Sequence, residues 1–122
     1  MDAYSSQGST TIAPEVLLTI AQLTTLNVSG VSRLSHIQAT NVNRIFKPGQ
    51  YREGIKIEIG DDIVNADIYV ILKNDVNVRE ISHNIQHEVT RAITDMVGMT
   101  VGRVNIHIED IDFTSPSESQ PA

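Results

Sequence analysis

The chain has no cysteine and no tryptophan, and its 122 residues include only two Phe, three Tyr and four Pro. Without cysteine there can be no disulfide, no thiolate metal site and no cysteine nucleophile, a composition that suits a reducing cytoplasm. With so few aromatic rings, Val and Ile must supply most of the core. Basic side chains are also scarce: nine Lys plus Arg against fifteen Asp plus Glu give a net charge of −6. That balance disfavours binding to a nucleic-acid phosphate backbone or to an anionic membrane surface. No apolar run approaches the roughly 20 residues that span a bilayer. The opening MDAYSSQGSTT has neither the basic nor the hydrophobic region of a secretory signal. The expectation is no nucleic-acid partner and no direct membrane insertion, so that membrane association would need a partner protein.

What the chain does have is organised around the stretch from Val78 to Ile111. Val78, Ile81, Ile85, Val89, Ala92, Ile93 and Met96 recur at three- and four-residue steps, which predicts one buried helix face. Asn77 is placed to cap that helix and Gly98 to end it. Beyond the glycine the period changes to two: Val104, Ile106 and Ile108 alternate with Arg103, Asn105, His107 and Glu109, as in a strand with one face on a core.

Taken in order, residues 1–8 read as a polar arm, 9–113 as a single domain and 114–122, rich in Ser and Pro, as a tail unable to fold alone. Thr10–Ile12 reads as a short edge strand. Pro14 opens a first helix whose inward stripe is expected to be Val16, Ile20 and Leu23, flanked by Leu17 and Thr24, with Leu18 exposed on nearly the opposite side. Val31–Ala39 reads as a strand. The polar segment that follows holds Arg44, Lys47 and Arg52 around a Pro48-Gly49 turn, a locally basic loop suited to an acidic partner or an anionic headgroup. Ile55, Ile57 and Ile59 form a half-buried strand, and Asp61-Asp62 turns it into a second. There Val64, Ala66, Ile68, Val70 and Leu72 face inward, leaving Tyr69 and Ile71 as apolar neighbours on the other face. Helix, glycine, valine and strand thus occur twice, over Pro14–Ala39 and again over Val78–Ile111. This predicts an α+β two-layer sandwich, with two helices on one face of a mainly antiparallel or mixed sheet of four to five strands.

No catalytic constellation is visible. His83 and His87 have the four-residue helical spacing of a metal-ligand pair, but the intervening residues lack a glutamate and no third ligand is evident, so a metal-dependent activity is only an alternative reading. His36 and His107 are candidate strand neighbours without a nucleophile or an orienting acid beside them. The aspartates of the hairpin lack calcium-loop spacing, and the glycines form neither a dinucleotide nor a phosphate loop. No cofactor is implied, and elimination leaves a binding or assembly module.

The segments TIAPEVLLTIAQ, NVSGVSRL and DIYVILKNDVNVREISHNIQHEVTRAITDMVGMTVGRVNIHIEDI closely resemble the alkaline-shock-protein family of bacterial envelope stress response proteins, from about Ser9 to Phe113. The match is densest from Asp67 to Ile111, through Val78, Ile81, Gln86, Val89, Met96, Gly98, Val104, Asn105 and Ile108. The resemblance implies a non-enzymatic, cytoplasmic scaffold or adaptor that self-associates as a homo-oligomer. It also implies peripheral attachment to the inner face of the cell membrane through a small membrane-anchored partner. Other members of the family suggest an alternative, a regulator that binds a metabolic enzyme of fatty-acid synthesis. The family has no catalytic residues to carry across. The surfaces expected to make contacts are the open sheet face, with Tyr69, Ile71, Arg103, Asn105 and His107, and the loop bearing Arg44, Lys47 and Arg52.

Overall fold

A computed structural model describes residues 8–36 and 50–113. Its elements are α1 (Pro14–Leu26), β1 (Val31–Leu34), β2 (Gln50–Arg52), β3 (Ile55–Gly60), β4 (Ile63–Lys73), α2 (Val78–Val97) and β5 (Thr100–Asp112). The expected α+β sandwich is found: the five strands form one mixed sheet, and both helices pack on the same face of it.

β4 is the strand that the sheet is built on. β3 runs antiparallel to its first half, from Ile55↔Ile68 to Gly60↔Ile63, and β1 runs antiparallel to its end, from Val31↔Leu72 to Leu34↔Val70. The Tyr69 N–H donates to the Gly54 carbonyl and the Tyr69 carbonyl accepts from the Ser35 N–H, both at 2.8 Å. The peptide groups of one strand residue point to one side, so β3 and β1 lie end to end on a single edge of β4. β5 takes the other edge, parallel to β4, and β2 adds outside β3. His36 and His107 are therefore not neighbours, because β1 and β5 are separated by β4. His36 pairs instead with Glu53, at 3.2 Å.

The covered face follows the period of β4. Val64, Ala66, Ile68, Val70 and Leu72 are completely buried, as are Ile55 and Ile57 of β3. Ile59 is exposed near the hairpin end, and Lys56, whose place in the alternation points it to solvent, is buried and paired with Glu58 at 3.1 Å. The hairpin turns on Asp61 and Asp62, whose φ values of 49° and 68° are the left-handed geometry that a two-residue turn needs to match the strand twist.

α2 behaves as its period predicts. The Asn77 side chain accepts from the Glu80 N–H at 3.0 Å, Gly98 ends the helix at φ 79°, and Ile81, Ile85, Val89 and Ile93 are buried. Ala92 is half-buried, and in the terminal turns Val78 and Met96 stay exposed, because the core contact is made by the middle of the helix.

α1 corrects the sequence reading. Leu17, Leu18, Ala21 and Thr25 are the buried residues, while Val16 and Leu23, expected to face inward, are 43% and 59% exposed. The helix carries two apolar stripes, and at 100° per residue they occupy opposite halves of its surface. Periodicity cannot choose between them. Packing takes the stripe with the small residues Ala21 and Thr25, which let α1 approach its neighbours closely. Thr10–Ile12 forms no strand; it leads into Ala13, whose extended backbone begins the helix. β1 ends at Leu34, and residues 37–39, also expected as strand, lie outside the described residues.

Candidate functional site: the open sheet face

Alternation on β4 sends Asn65, Asp67, Tyr69 and Ile71 to the side away from the helices, where all four are half-buried. The parallel register with β5 places Asn105 beside Asp67 and His107 beside Tyr69. Asp67 Oδ1 accepts from Asn105 Nδ2 at 3.1 Å and lies 3.0 Å from His107 Nε2, which donates to it. The Tyr69 ring stacks on the imidazole with centroids 4.3 Å apart and planes 11° from parallel. Partial burial by itself would raise the Asp67 carboxyl. The hydrogen bonds from His107 and Asn105, with the charges of His107 and Lys56, outweigh burial and hold the group below its ordinary value.

Of the residues expected on this face, the structure thus joins Tyr69, Asn105 and His107 around Asp67. Ile71 and Arg103 stand at the two ends of the same row, where Ile71 is opposite Asp110 and Arg103 lies beside Asn65. The far end is braced by Asp112, which accepts from Ser32 Oγ at 2.8 Å and from Arg33 Nη1 at 3.2 Å, reaching across β4 from one flanking strand to the other. One nitrogen of His107 is engaged by Asp67 and one face of its ring by Tyr69. That arrangement fixes the orientation of the imidazole, and it gives His107 the neighbouring acid that the sequence reading did not expect.

Sequence reasoning misses Asp67. The period of β4 points it outward, but only the β4–β5 register shows what it meets. The outer surface of α1, where Ile12, Val16, Leu23 and Leu26 are exposed in succession, is missed as well; its apolar stripe is plain in the sequence, where it reads equally well as core. Leu18, the expected exposed residue, is buried. A cleft of about 540 Å³ opens between the helices, lined among others by Thr24, Asn27, Glu88, Arg91 and Met96.

The second expected surface cannot be placed: Arg44 and Lys47 lie outside the described residues, as does the side chain of Arg52. His83 and His87 are both exposed on α2. Among the described residues, no group of three or more His, Cys, Asp or Glu is arranged to hold a metal ion, and no helix is long and apolar enough to cross a membrane.

Comparison with known proteins gives a concordant result. The chain is 35% identical over 105 residues to the uncharacterized protein Spy1535 of Streptococcus pyogenes serotype M6, covering 85% of this chain and 79% of that protein. It is 27% identical over 111 residues to the uncharacterized protein YqhY of Bacillus subtilis, covering 91% and 82%. Among solved structures, a variant of MamM-CTD superimposes with a TM-score of 0.51 at 12% identity, covering 82% of this chain and all of that one, a likeness of fold alone. The family of alkaline shock protein 23, cell envelope-related function, matches residues 2–113, and the chain belongs to it.

Proposed function

We propose that this protein is a non-enzymatic scaffold or adaptor of the bacterial cell envelope, which associates with copies of itself and with an envelope-linked partner through its open sheet face. The observation that carries the reading is the preorganised ridge on that face. Tyr69, His107, Asn105 and Asp67 are tied together by two hydrogen bonds and a ring stack, with Ile71 extending the row, and no helix covers them among the described residues. Side chains already held in one geometry lose little entropy on binding, and an aromatic ring in a polar surround is the composition that interface centres favour. The net charge of −6 works against direct contact with an anionic leaflet. Attachment at the inner face of the membrane therefore falls to a small membrane-anchored protein. On this reading residues 9–113 form the working domain, with 1–8 as an arm and 114–122 as a tail. The basic loop with Arg44, Lys47 and Arg52 is a secondary contact for an acidic partner.

The test is the double substitution Tyr69→Asp with Ile71→Asp, examined by light scattering over a wide concentration range and by affinity capture from detergent-solubilised membranes. Loss of both self-association and a captured membrane protein, with an unchanged circular dichroism spectrum, is the expected result. Retention of both would reject the face. Capture of a soluble acyl-chain enzyme instead of a membrane protein would replace the adaptor reading by a regulatory one.

A further inference from the structure

The outer edge of β5 carries an inference that rests on the self-associating half of this reading and specifies how two copies meet. Along its inner edge β5 is paired with β4 from Ile63↔Thr100 to Lys73↔Asp112. Among the described residues, no strand pairs the outer edge. Two hydrogen bonds show which peptide groups face out. At the bulge between the Val64 and Ala66 registers, the Arg103 N–H turns toward β4, where Asn65 Oδ1 accepts it at 2.8 Å. The next residue, Val104, points its peptide groups the other way, and Gln86 Nε2 reaches from α2 to donate to its carbonyl at 3.0 Å. Alternation then turns the N–H and C=O groups of Ile106 and Ile108 outward as well.

An edge of this length, left with outward donors and acceptors, is a template for another strand. Natural edges are commonly protected by charges, and β5 has three exposed ones: Asp110, whose Oδ1 accepts from the Ile111 N–H at 2.8 Å, and the pair Arg103 and Glu109, neither of which makes an ion pair among the described residues. Their signs and spacing change what they do. They are opposite in charge and stand equally far on either side of Ile106, in the order Arg103-Val104-Asn105-Ile106-His107-Ile108-Glu109. Charges of a single sign would repel a second copy of this edge, whereas this arrangement is complementary to itself.

We propose that two copies of the chain join β5 to β5, antiparallel, about a two-fold axis through Ile106. In that register Ile106 meets its own equivalent, Val104 meets Ile108 of the second copy, and Arg103 meets Glu109 of the second copy, the last two pairings occurring twice. All three outward-facing residues then fall in hydrogen-bonded positions, and side chains keep their faces, since opposed residues in an antiparallel pair lie on the same side. Moving the axis to Asn105 or His107 loses both ion pairs. The bond from Gln86 to the Val104 carbonyl must yield to the Ile108 N–H of the second copy, so the Gln86 side chain covers this edge in the single chain. Beside the edge lies a mostly polar groove of about 390 Å³, lined by Val78, Arg79, Ser82, His83, Gln86 and Ile106, with Val78 exposed. Joined in this way, two five-stranded sheets become one, and their two open faces form a single surface twice as wide.

The test is a charge-reversal cycle on the full chain: Arg103→Glu, Glu109→Arg and the two together, each checked for folding by circular dichroism and measured by sedimentation and light scattering. Each single reversal places like charges opposite one another twice per dimer and is expected to weaken self-association about tenfold. The double variant restores the pairs in swapped form and is expected to return to within about twofold of the parent. Singles without effect, or a double as weak as its parts, would overturn the β5 pairing. If the parent self-associates and ignores the whole cycle but is dispersed by the Tyr69→Asp, Ile71→Asp variant, the scaffold reading stands and the edge falls. A parent that is monomeric at every concentration overturns the edge and the self-associating half of that reading together.

Discussion

The two faces of the sheet are made from alternate residues of the same strand, yet they are held in different ways. On the covered face, Val64, Ala66, Ile68, Val70 and Leu72 are completely buried and make no directional bonds with their side chains; burial of apolar area there is large and indifferent to angle. On the open face, one step along at each position, Asp67 and Tyr69 are tied by hydrogen bonds and a ring stack to Asn105 and His107. Such contacts are individually worth little beside water. Folding is supplied by one face, and a surface of defined shape by the other. That division fits the scaffold role proposed above. Substitutions that strike the covered layer should unfold it, and those on the open face should alter its shape at little cost.

The largest effect expected is on the assignment of α1. Leu18 is buried in the hydrophobic core, so Leu18→Ala should cost about 2–5 kcal/mol, through lost burial and the cavity left behind. Leu23, on the outer stripe at 59% exposure, should change stability by less than about 0.5 kcal/mol when replaced by Ala. Urea midpoints of the two variants measure the difference directly. Equal losses would mean that both stripes of α1 are covered, and the comparison between a covered and an uncovered side of that helix would fail.

A smaller effect separates the two glycines that follow the helices. Gly30 has φ 99°, and a Cβ there would stand 2.6 Å from Ile81 Cδ1, so the turn out of α1 is pressed against α2 inside the covered layer. Gly98 has φ 79° but opens on empty space. Both Ala variants carry the strain of a left-handed backbone, about 1 kcal/mol. Gly30→Ala adds displacement of a buried side chain and should lose about 1–3 kcal/mol more than Gly98→Ala, as judged by thermal midpoints. Similar losses would show that Ile81 can move aside, and that the layer between α1 and α2 is looser than its burial implies.

These contrasts also explain how much of the fold and of the open face is legible in the sequence. α2, β4 and β5 each have one apolar period and one way to satisfy it, so their types, most of their inward residues, the Asn77 cap and the Gly98 stop can be read, the exposed Val78 and Met96 at the ends of α2 excepted. α1 is legible as a helix but not in its rotation, because Val16, Ile20 and Leu23 form as good a stripe as Leu17, Leu18 and Ala21. Nothing local decides between them; the choice depends on the space that α2 and Gly30 leave. On the open face, period two identifies Tyr69, Ile71, Arg103, Asn105 and His107 as sharing a side. It cannot identify Asp67 as the group that bonds both Asn105 and His107, since the β4–β5 register is set by a helical crossover and shifted by two bulges. The burial of Lys56 is likewise a consequence of neighbours distant in the chain.

The smallest effect concerns Asp67, and it tests whether the open face is held by charge. Asn in its place keeps an oxygen that can accept from His107 and removes only the negative charge. Asp67→Asn should therefore cost no more than about 1 kcal/mol near neutral pH, as expected for a partly solvated contact. The sign of its pH dependence follows from the direction of the shift. The folded-state carboxyl is held below its ordinary value of 3.8, so the folded chain keeps Asp67 ionised at acidities where the unfolded chain has already taken up the proton. Its contribution is complete above the unfolded value and disappears as the pH falls through the lower folded one. Urea midpoints of the parent and the Asp67→Asn chain should thus be separated by a constant amount in the acid limb down to about pH 5. Below that they should converge, because a protonated Asp67 and an asparagine are nearly the same group. A gap that persists at the lowest pH would assign the contribution to packing of the side chain. The ridge would then owe its shape to the Tyr69–His107 stack and the backbone register, with the carboxylate only filling the space between them.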